Sequence, residues 1–72
     1  MKDSNMESIG QRIKEMRTEC DFTQKQLADA IGVAQNTISQ YENDTALPSV
    51  EIIVKLADTL NTTTDYLLRG RE

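Results

Sequence analysis

The chain has 72 residues, the length of one small domain whose core buries about 60 per cent of the unfolded surface, without room for a separate catalytic domain. Eight Lys and Arg against twelve Asp and Glu give a net charge of -4, opposite to the basic balance typical of nucleic-acid-binding domains. One cysteine and no histidine exclude an internal disulfide, a plausible zinc set and a Cys/His nucleophile pair. We therefore expect no metal, no cofactor and no enzymatic activity.

The N-terminal residues, MKDSNM, are too polar for a signal peptide, and no apolar run approaches the roughly 20 residues that a membrane span requires. We therefore expect a flexible tail over 1–6 and a cytoplasmic protein with no membrane partner. A first helix is predicted over 7–19, with an apolar stripe at helical spacing formed by Ile9, Ile13 and Met16. Cys20 continues that stripe, which favours a small core side chain over a redox sensor.

The segment TQKQLADAIG has the pattern of a capped helix over 24–31. Thr23 can accept a hydrogen bond at the helix start, while Gln26 reaches back to the Thr23 amide, which together make a capping box. The apolar stripe of this helix consists of Leu27, Ala28 and Ile31. Gly32 can adopt the left-handed conformation that ends the helix, and Val33 follows as an apolar plug.

A third helix is predicted over 35–42, directly after that turn, with Ile38 and Tyr41 on its apolar face. Its opposite face carries amide and hydroxyl side chains without charge: Gln35, Asn36, Ser39, Gln40 and Asn43. A solvated helix face is usually rich in Lys and Glu. Uncharged amides favour hydrogen bonding to base edges instead, because Gln and Asn can bridge two atoms of adenine.

Two shorter patterns predict the remaining helices. Helix four is predicted over 50–60 with Ser49 as its cap, and its inward stripe is Val50, Ile53, Val54 and Ala57. Helix five is predicted over 63–68, with Thr62 and Asp65 as its capping residues. Polar residues that tolerate positive φ stand where three helices must end: Asp21, Asp44 and Asn61.

The order helix, glycine, helix, with Gln after the capping Thr and TISQYEN in the second helix, resembles the phage Cro/repressor-type helix-turn-helix proteins. The resemblance runs from about Ile9 to Leu68, since LPSVEIIVKLADTL and TTTDYLL resemble that family's fourth and fifth helices. It implies a compact all-α, five-helix, lambda-repressor-like DNA-binding domain over 7–69. The helix-turn-helix would be helices two and three, followed at the end of the chain by a tail over 70–72.

This resemblance implies a sequence-specific DNA-binding transcriptional regulator, by default a repressor, that binds a palindromic operator through the major groove as a homodimer. Its partners would be double-stranded DNA at the nucleoid and a second copy of the chain, with no small-molecule ligand. A helix-turn-helix protein-interaction module, such as an antitoxin or anti-regulator, stays open as the alternative. The acidity of the chain fits that alternative better than it fits DNA binding alone. Candidate dimer-interface residues, each at least as compatible with ordinary core, are Ile52, Leu56, Tyr66 and Leu68.

Residue roles also follow from the resemblance. The positions that match the family's base-reading residues are Ala34, Gln35, Asn36, Ser39 and Gln40. The positions expected to contact phosphate are Thr23, Gln24, Lys25, Thr37 and Asn43. Arg17 and Glu42 match an ion pair across the family's core, the alternative being two independent surface charges. Because no Arg is available for guanine, the contacted bases should lean toward A and T.

Charge and two departures from the family pattern limit these expectations. Ala34 replaces a common Ser or Thr, which removes a helix cap worth about 1 kcal/mol. Asp44 would oppose phosphate unless its carboxylate turns back to cap its own turn. Between residues 23 and 43 the charged side chains are Lys25, Asp29 and Glu42, so attraction to phosphate should be weak.

Overall fold

The computed structural model describes residues 8–71, which form an all-α domain of five helices. These are α1 (Ile9–Glu19), α2 (Gln24–Ile31), α3 (Gln35–Glu42), α4 (Val50–Thr59) and α5 (Thr64–Arg69). The tail predicted over 1–6 lies outside the described residues. Within 8–71, none of the helices is long and apolar enough to cross a membrane, and no cluster of acidic or cysteine side chains is arranged to hold a metal ion.

Hydroxyl side chains start four of the five helices. The Oγ atoms of Ser8 and Ser49 and the Oγ1 atoms of Thr23 and Thr63 each accept a hydrogen bond from the backbone N–H three residues later. Helix α1 begins at Ile9, because Ser8 is extended and caps it, and the predicted first residue at position 7 lies outside the described residues. One predicted cap was wrong. Helix α5 is capped by Thr63 and not by Thr62, because three successive threonines, 62–64, offered more than one register for the cap.

Left-handed residues end the helices as the sequence predicts. Asp21, Asp44 and Asn61 have φ angles of 61°, 62° and 57°, and Gly32 closes α2 with φ 81°. Asn and Asp pay less steric strain in this conformation than other residues with a Cβ. The chain can therefore reverse direction after α1, α3 and α4 without glycine.

The core lies between all five helices. Its fully buried large side chains are Ile13, Leu27, Ile38, Leu56, Leu60 and Leu67. Cys20, predicted as core, is half-buried at the edge of this cluster, where its Sγ lies 3.4 Å from the Leu60 carbonyl oxygen.

The inward face of α4 differs from the predicted one. Ile53 and Ala57 are buried as expected, but the side chains of Val50 and Val54 are 81% and 45% exposed. Helix α4 is apolar around most of its circumference, so its helical period fits more than one inward stripe. The stripe that packs inward begins one turn later and is Ile53, Leu56, Ala57 and Leu60. Leu56 is therefore core and is wrong as a dimer-interface candidate.

Arg12, which the sequence pattern does not single out, fastens α5 to α1. Its side chain is buried, its Nε donates to the Leu67 carbonyl at 3.0 Å and its Nη2 donates to the Leu68 carbonyl at 3.1 Å. These carbonyls belong to the last turn of α5, where a positive charge also interacts favourably with the helix dipole. A helix of six residues is too short to persist alone, so α5 depends on this contact and on the packing of Leu67.

Gly10 allows α1 to approach the end of α3. A Cβ built on Gly10 would overlap the Tyr41 carbonyl oxygen, at a separation shorter than any permitted non-bonded distance. The Gly10 N–H donates to Asp44 Oδ1 at 3.1 Å, so the carboxylate also occupies the electropositive start of α1. This close approach sets the position of α3 relative to α1.

Gly10→Ala should lower the free energy of unfolding by about 1–3 kcal/mol, because the added methyl group forces the two helices apart. Chemical denaturation followed by circular dichroism measures the change. Gln11→Ala, at the neighbouring exposed position, is the control and should stay within about 0.5 kcal/mol of the original protein. The close-packing argument would be wrong if Gly10→Ala stabilised the protein, as alanine does at an open helix position.

Candidate nucleic-acid interface

Helices α2 and α3 are joined by a turn of three residues that the sequence specifies locally. The N–H groups of Gly32 and Val33 both donate to the Ala28 carbonyl, at 2.9 and 3.0 Å, which closes the C-terminus of α2. Ala34 then begins α3 as an N-cap without a side-chain hydrogen bond. Two short helices thus meet at a tight turn, and the buried side chains of Leu27, Ala28, Ile31 and Ile38 share one core.

The side of α3 opposite this core is uncharged and free of internal hydrogen bonds. Ala34, Gln35, Asn36 and Gln40 are exposed and Ser39 is half-buried. No side chain among these five makes a hydrogen bond to another described residue. We call this set the amide face. Because each amide carries both donors and acceptors, the amide face can pair with base edges without first breaking contacts inside the protein.

The start of α2 leaves two backbone donors available. The capping box is complete: Gln26 N–H donates to Thr23 Oγ1 at 3.0 Å, and Thr23 N–H donates to Gln26 Oε1 at 2.9 Å. The N–H groups of Gln24 and Lys25 have no partner among residues 8–71. Two such donors at the positive end of a helix dipole form a suitable site for a phosphate oxygen.

Lys25, the basic side chain nearest these donors in sequence, is exposed and pairs with Asp29 one turn later. The distance from Lys25 Nζ to Asp29 Oδ2 is 3.4 Å, and both side chains are more than two-thirds exposed. A solvent-screened pair of this kind contributes little to the stability of the fold. Lys25 therefore adds a mobile charge that its neighbour largely offsets.

Arg17 and Glu42, predicted to pair, are in contact inside the domain. Arg17 Nε donates to Glu42 Oε2 at 2.6 Å and Arg17 Nη2 donates to Oε1 at 3.2 Å, with 11% and 3% of the two side chains exposed. Arg17 Nη1 also donates to the Phe22 carbonyl at 2.8 Å. Gln24 Nε2 donates to Glu42 Oε1 at 3.0 Å. We call these four residues the Glu42 network; it joins α1, the α1–α2 turn, the first residue of α2 and the last residue of α3.

The loop after α3 directs its backbone amides inward. The N–H groups of Asn43 and Asp44 donate to Ser39 and Tyr41, and those of Thr45 and Ala46 both donate to the Gln40 carbonyl. At Asn43 the exposed side-chain amide, and not the backbone N–H, is therefore the group available to a phosphate. Thr37, the remaining predicted phosphate contact, is half-buried on α3.

The Asp44 carboxylate does turn back, but to a different place from the one expected. It accepts from Gly10 at the start of α1 and not from an amide of its own turn. The charge at this position is thereby directed toward the protein. No local pattern predicts this contact, because its partner lies 34 residues away in the sequence.

Residues 13–67 match the family described as Helix-turn-helix, and the chain belongs to this family, in its phage Cro/repressor type. The structure superposes on the P22 c2 repressor bound to a synthetic operator with a TM-score of 0.88 and 32% identity, covering 92% of this chain and 100% of that one. The chain is 39% identical over 61 residues to the HTH-type transcriptional regulator ImmR of Bacillus subtilis (85% of this chain, 48% of ImmR).

A third relative is the antitoxin PezA of Streptococcus pneumoniae, which is 42% identical over 45 residues, or 62% of this chain and 28% of PezA. The chain spans about half the length of the curated relatives it matches. ImmR and the P22 c2 repressor are transcription regulators and not enzymes. The likeness thus covers the helix-turn-helix domain.

Arg17→Met and Glu42→Gln should each lower the free energy of unfolding by about 3–5 kcal/mol, because either change leaves a buried charge without its partner. Thermal and urea unfolding of the two single variants and the double variant measure the pairing. The double variant should lose less than the sum of the two single losses, since the second change removes the stranded charge. Unchanged melting temperatures in both single variants would show that the contact carries no stability.

Proposed function

We propose that this chain is a sequence-specific DNA-binding transcriptional regulator, by default a repressor, that binds a palindromic operator as a homodimer. The amide face carries the proposal, because an exposed set of unpaired amides on the second helix of a helix-turn-helix is suited to reading base edges. The likeness to an operator-bound repressor supports it. The protein would work in the cytoplasm, associated with the nucleoid that holds its target.

In the proposed complex the N-terminal half of α3 lies in the major groove. Gln35, Asn36 and Gln40 are suited to bidentate contacts with adenine, and the Ala34 methyl group is suited to a thymine methyl. Ser39 can donate to either base of a pair. The operator half-sites should therefore be rich in A·T pairs at the contacted positions.

Phosphate contacts in this proposal come mainly from neutral groups. The free N–H groups of Gln24 and Lys25 would hold one phosphate, beside the Thr23 cap, and the side chains of Thr37 and Asn43 would reach others. Because few cations displace counterions from the DNA, we expect modest non-specific affinity and a shallow dependence of binding on salt concentration.

The proposed dimer uses an exposed apolar patch on the described chain. The patch is formed by Leu47, Pro48, Val50, Val54 and Leu68, which come from the α3–α4 loop, α4 and α5. Of the dimer candidates named from the sequence, only Leu68 belongs to it. Burying this patch against a second copy would remove large apolar side chains from water. A dimer that binds both half-sites of the operator must also hold its two copies of α3 about 34 Å apart on one face of the duplex.

Gln35→Ala and Asn36→Ala should each weaken specific binding by about 5- to 150-fold, the value of one bidentate base contact, while leaving the fold intact by circular dichroism. The measurement is fluorescence anisotropy on a duplex that the protein itself selects from a random pool, against a scrambled duplex, at two salt concentrations. Gln11→Ala, an exposed glutamine on α1, is the matched control and should bind as the original protein does. Equal affinity of the original protein for both duplexes would overturn sequence-specific binding.

Val50→Glu should convert the dimer to a monomer without loss of helicity, because it places a charge in the centre of the apolar patch. Sedimentation velocity over a range of protein concentrations measures the change. Asp58→Asn, at an exposed position of α4 outside the patch, is the control and should leave the dimer unchanged. An original protein that stays monomeric at its highest soluble concentration would contradict the proposed dimer.

The likeness to PezA supports a second candidate function, a module that binds a partner protein. In that case the amide face or the apolar patch would contact protein instead of DNA. The random-pool selection separates the two, since a protein-binding module would enrich no common sequence.

A further inference from the structure

We propose that Glu42 is a positioning residue for DNA binding, which holds the Gln24 side-chain amide in place to donate its second N–H to a phosphate. This inference rests on the proposed DNA-binding function. It assigns Glu42 a role beyond its ion pair with Arg17: the carboxylate orders a side chain on the DNA-facing start of α2.

The chemistry of the two groups fixes how the Gln24 amide is turned. A carboxylate can only accept hydrogen bonds, so the amide nitrogen and not the amide oxygen faces Glu42 Oε1, at 3.0 Å. One of the two N–H groups is used in this contact. The other has no partner among residues 8–71, and Gln24 is only half-buried, so the second N–H is available to a ligand.

This second donor belongs to the same residue as a free backbone donor. Gln24 is the first residue of α2, and its backbone N–H and that of Lys25 are the donors left open by the capping box. Two backbone donors and one side-chain donor at one helix start suit the several oxygens of a phosphate. A side chain already held in one conformation loses less entropy when the phosphate arrives.

Glu42 can hold Gln24 because it is itself immobile. Both of its oxygens are bound by Arg17, only 3% of its side chain is exposed, and Arg17 is in turn fixed to the Phe22 carbonyl. Glu42 also ends the helix that carries the amide face. The same carboxylate thus relates the phosphate-binding start of α2 to the base-reading helix.

The direction in which Glu42→Gln changes the affinity for DNA distinguishes a positioning role of Glu42 from simple repulsion between its charge and the phosphate. Glu42→Gln removes a negative charge and releases that of Arg17, so attraction to phosphate alone predicts tighter binding to DNA. Positioning predicts weaker binding, by about three- to tenfold, the cost of immobilising one flexible side chain. A merely structural role predicts weaker binding whether or not Gln24 is present.

The test is a double-mutant cycle of Glu42→Gln and Gln24→Met on the selected duplex, by anisotropy, at a temperature where circular dichroism shows every variant folded. Gln24→Met keeps the length of the side chain but removes its donors. We expect Glu42→Gln to weaken binding three- to tenfold in the original background and to have no weakening effect in the Gln24→Met background. Tighter binding by Glu42→Gln, or equal weakening in both backgrounds, would overturn the proposal.

A measurement on the unmodified protein covers the case in which Glu42→Gln does not fold. Nitrogen-15 relaxation of the side-chain amides should show Gln24 rigid in the free protein, with Gln35 on the same molecule as the mobile reference. A Gln24 amide as mobile as that of Gln35 would overturn the proposal. Failure of the original protein to discriminate between duplexes removes the DNA-binding function and this inference together, whereas specific binding with a mobile Gln24 removes the inference alone.

Discussion

The position of the two motif helices depends on the buried pair of Arg17 and Glu42. A charge taken out of water is costly, and this one is tolerated because every oxygen of the carboxylate accepts a hydrogen bond. The geometry that satisfies the carboxylate also fixes three chain segments, since its partners come from α1, from the turn after it through Phe22, and from α2. Such a contact adds little to the net free energy of folding. Its main consequence is that it restricts where α3 can lie.

Helix α1 positions α3 and α5 through two residues near its start. Near its start, Gly10 lets α3 approach and receives the Asp44 carboxylate. Two residues along, Arg12 donates to carbonyls in the last turn of α5. A domain of this size has a small core, so polar contacts of this kind contribute substantially to fixing how the helices pack against one another.

The surface chemistry of the motif reconciles an acidic chain with a proposed DNA partner. Glu42 is enclosed with Arg17, Asp44 faces the start of α1, and Lys25 is offset by Asp29. The surface around the amide face therefore presents dipoles more than charges. Recognition by dipoles depends on distance and angle more steeply than recognition by charge does, which makes the rigid placement of α2 and α3 the central requirement.

The sequence by itself determined the features that depend on neighbouring residues. These are the capping box at Thr23, the left-handed ends at Gly32 and Asp44, and an uncharged outer face on α3, because caps, turns and helical period are local. The family resemblance added the pairing of Arg17 with Glu42, which no local rule contains.

Only the tertiary structure decided which side of α4 faces inward, that the Asp44 carboxylate reaches Gly10, and that Gln24 donates to Glu42. The two hydrogen bonds join residues far apart in the chain. The inward side of α4 is a choice between apolar stripes that fit the helical period equally well. The exposed apolar patch around Val50 and the ordering of Gln24 are consequences of those long-range choices, because they depend on how the helices pack against one another.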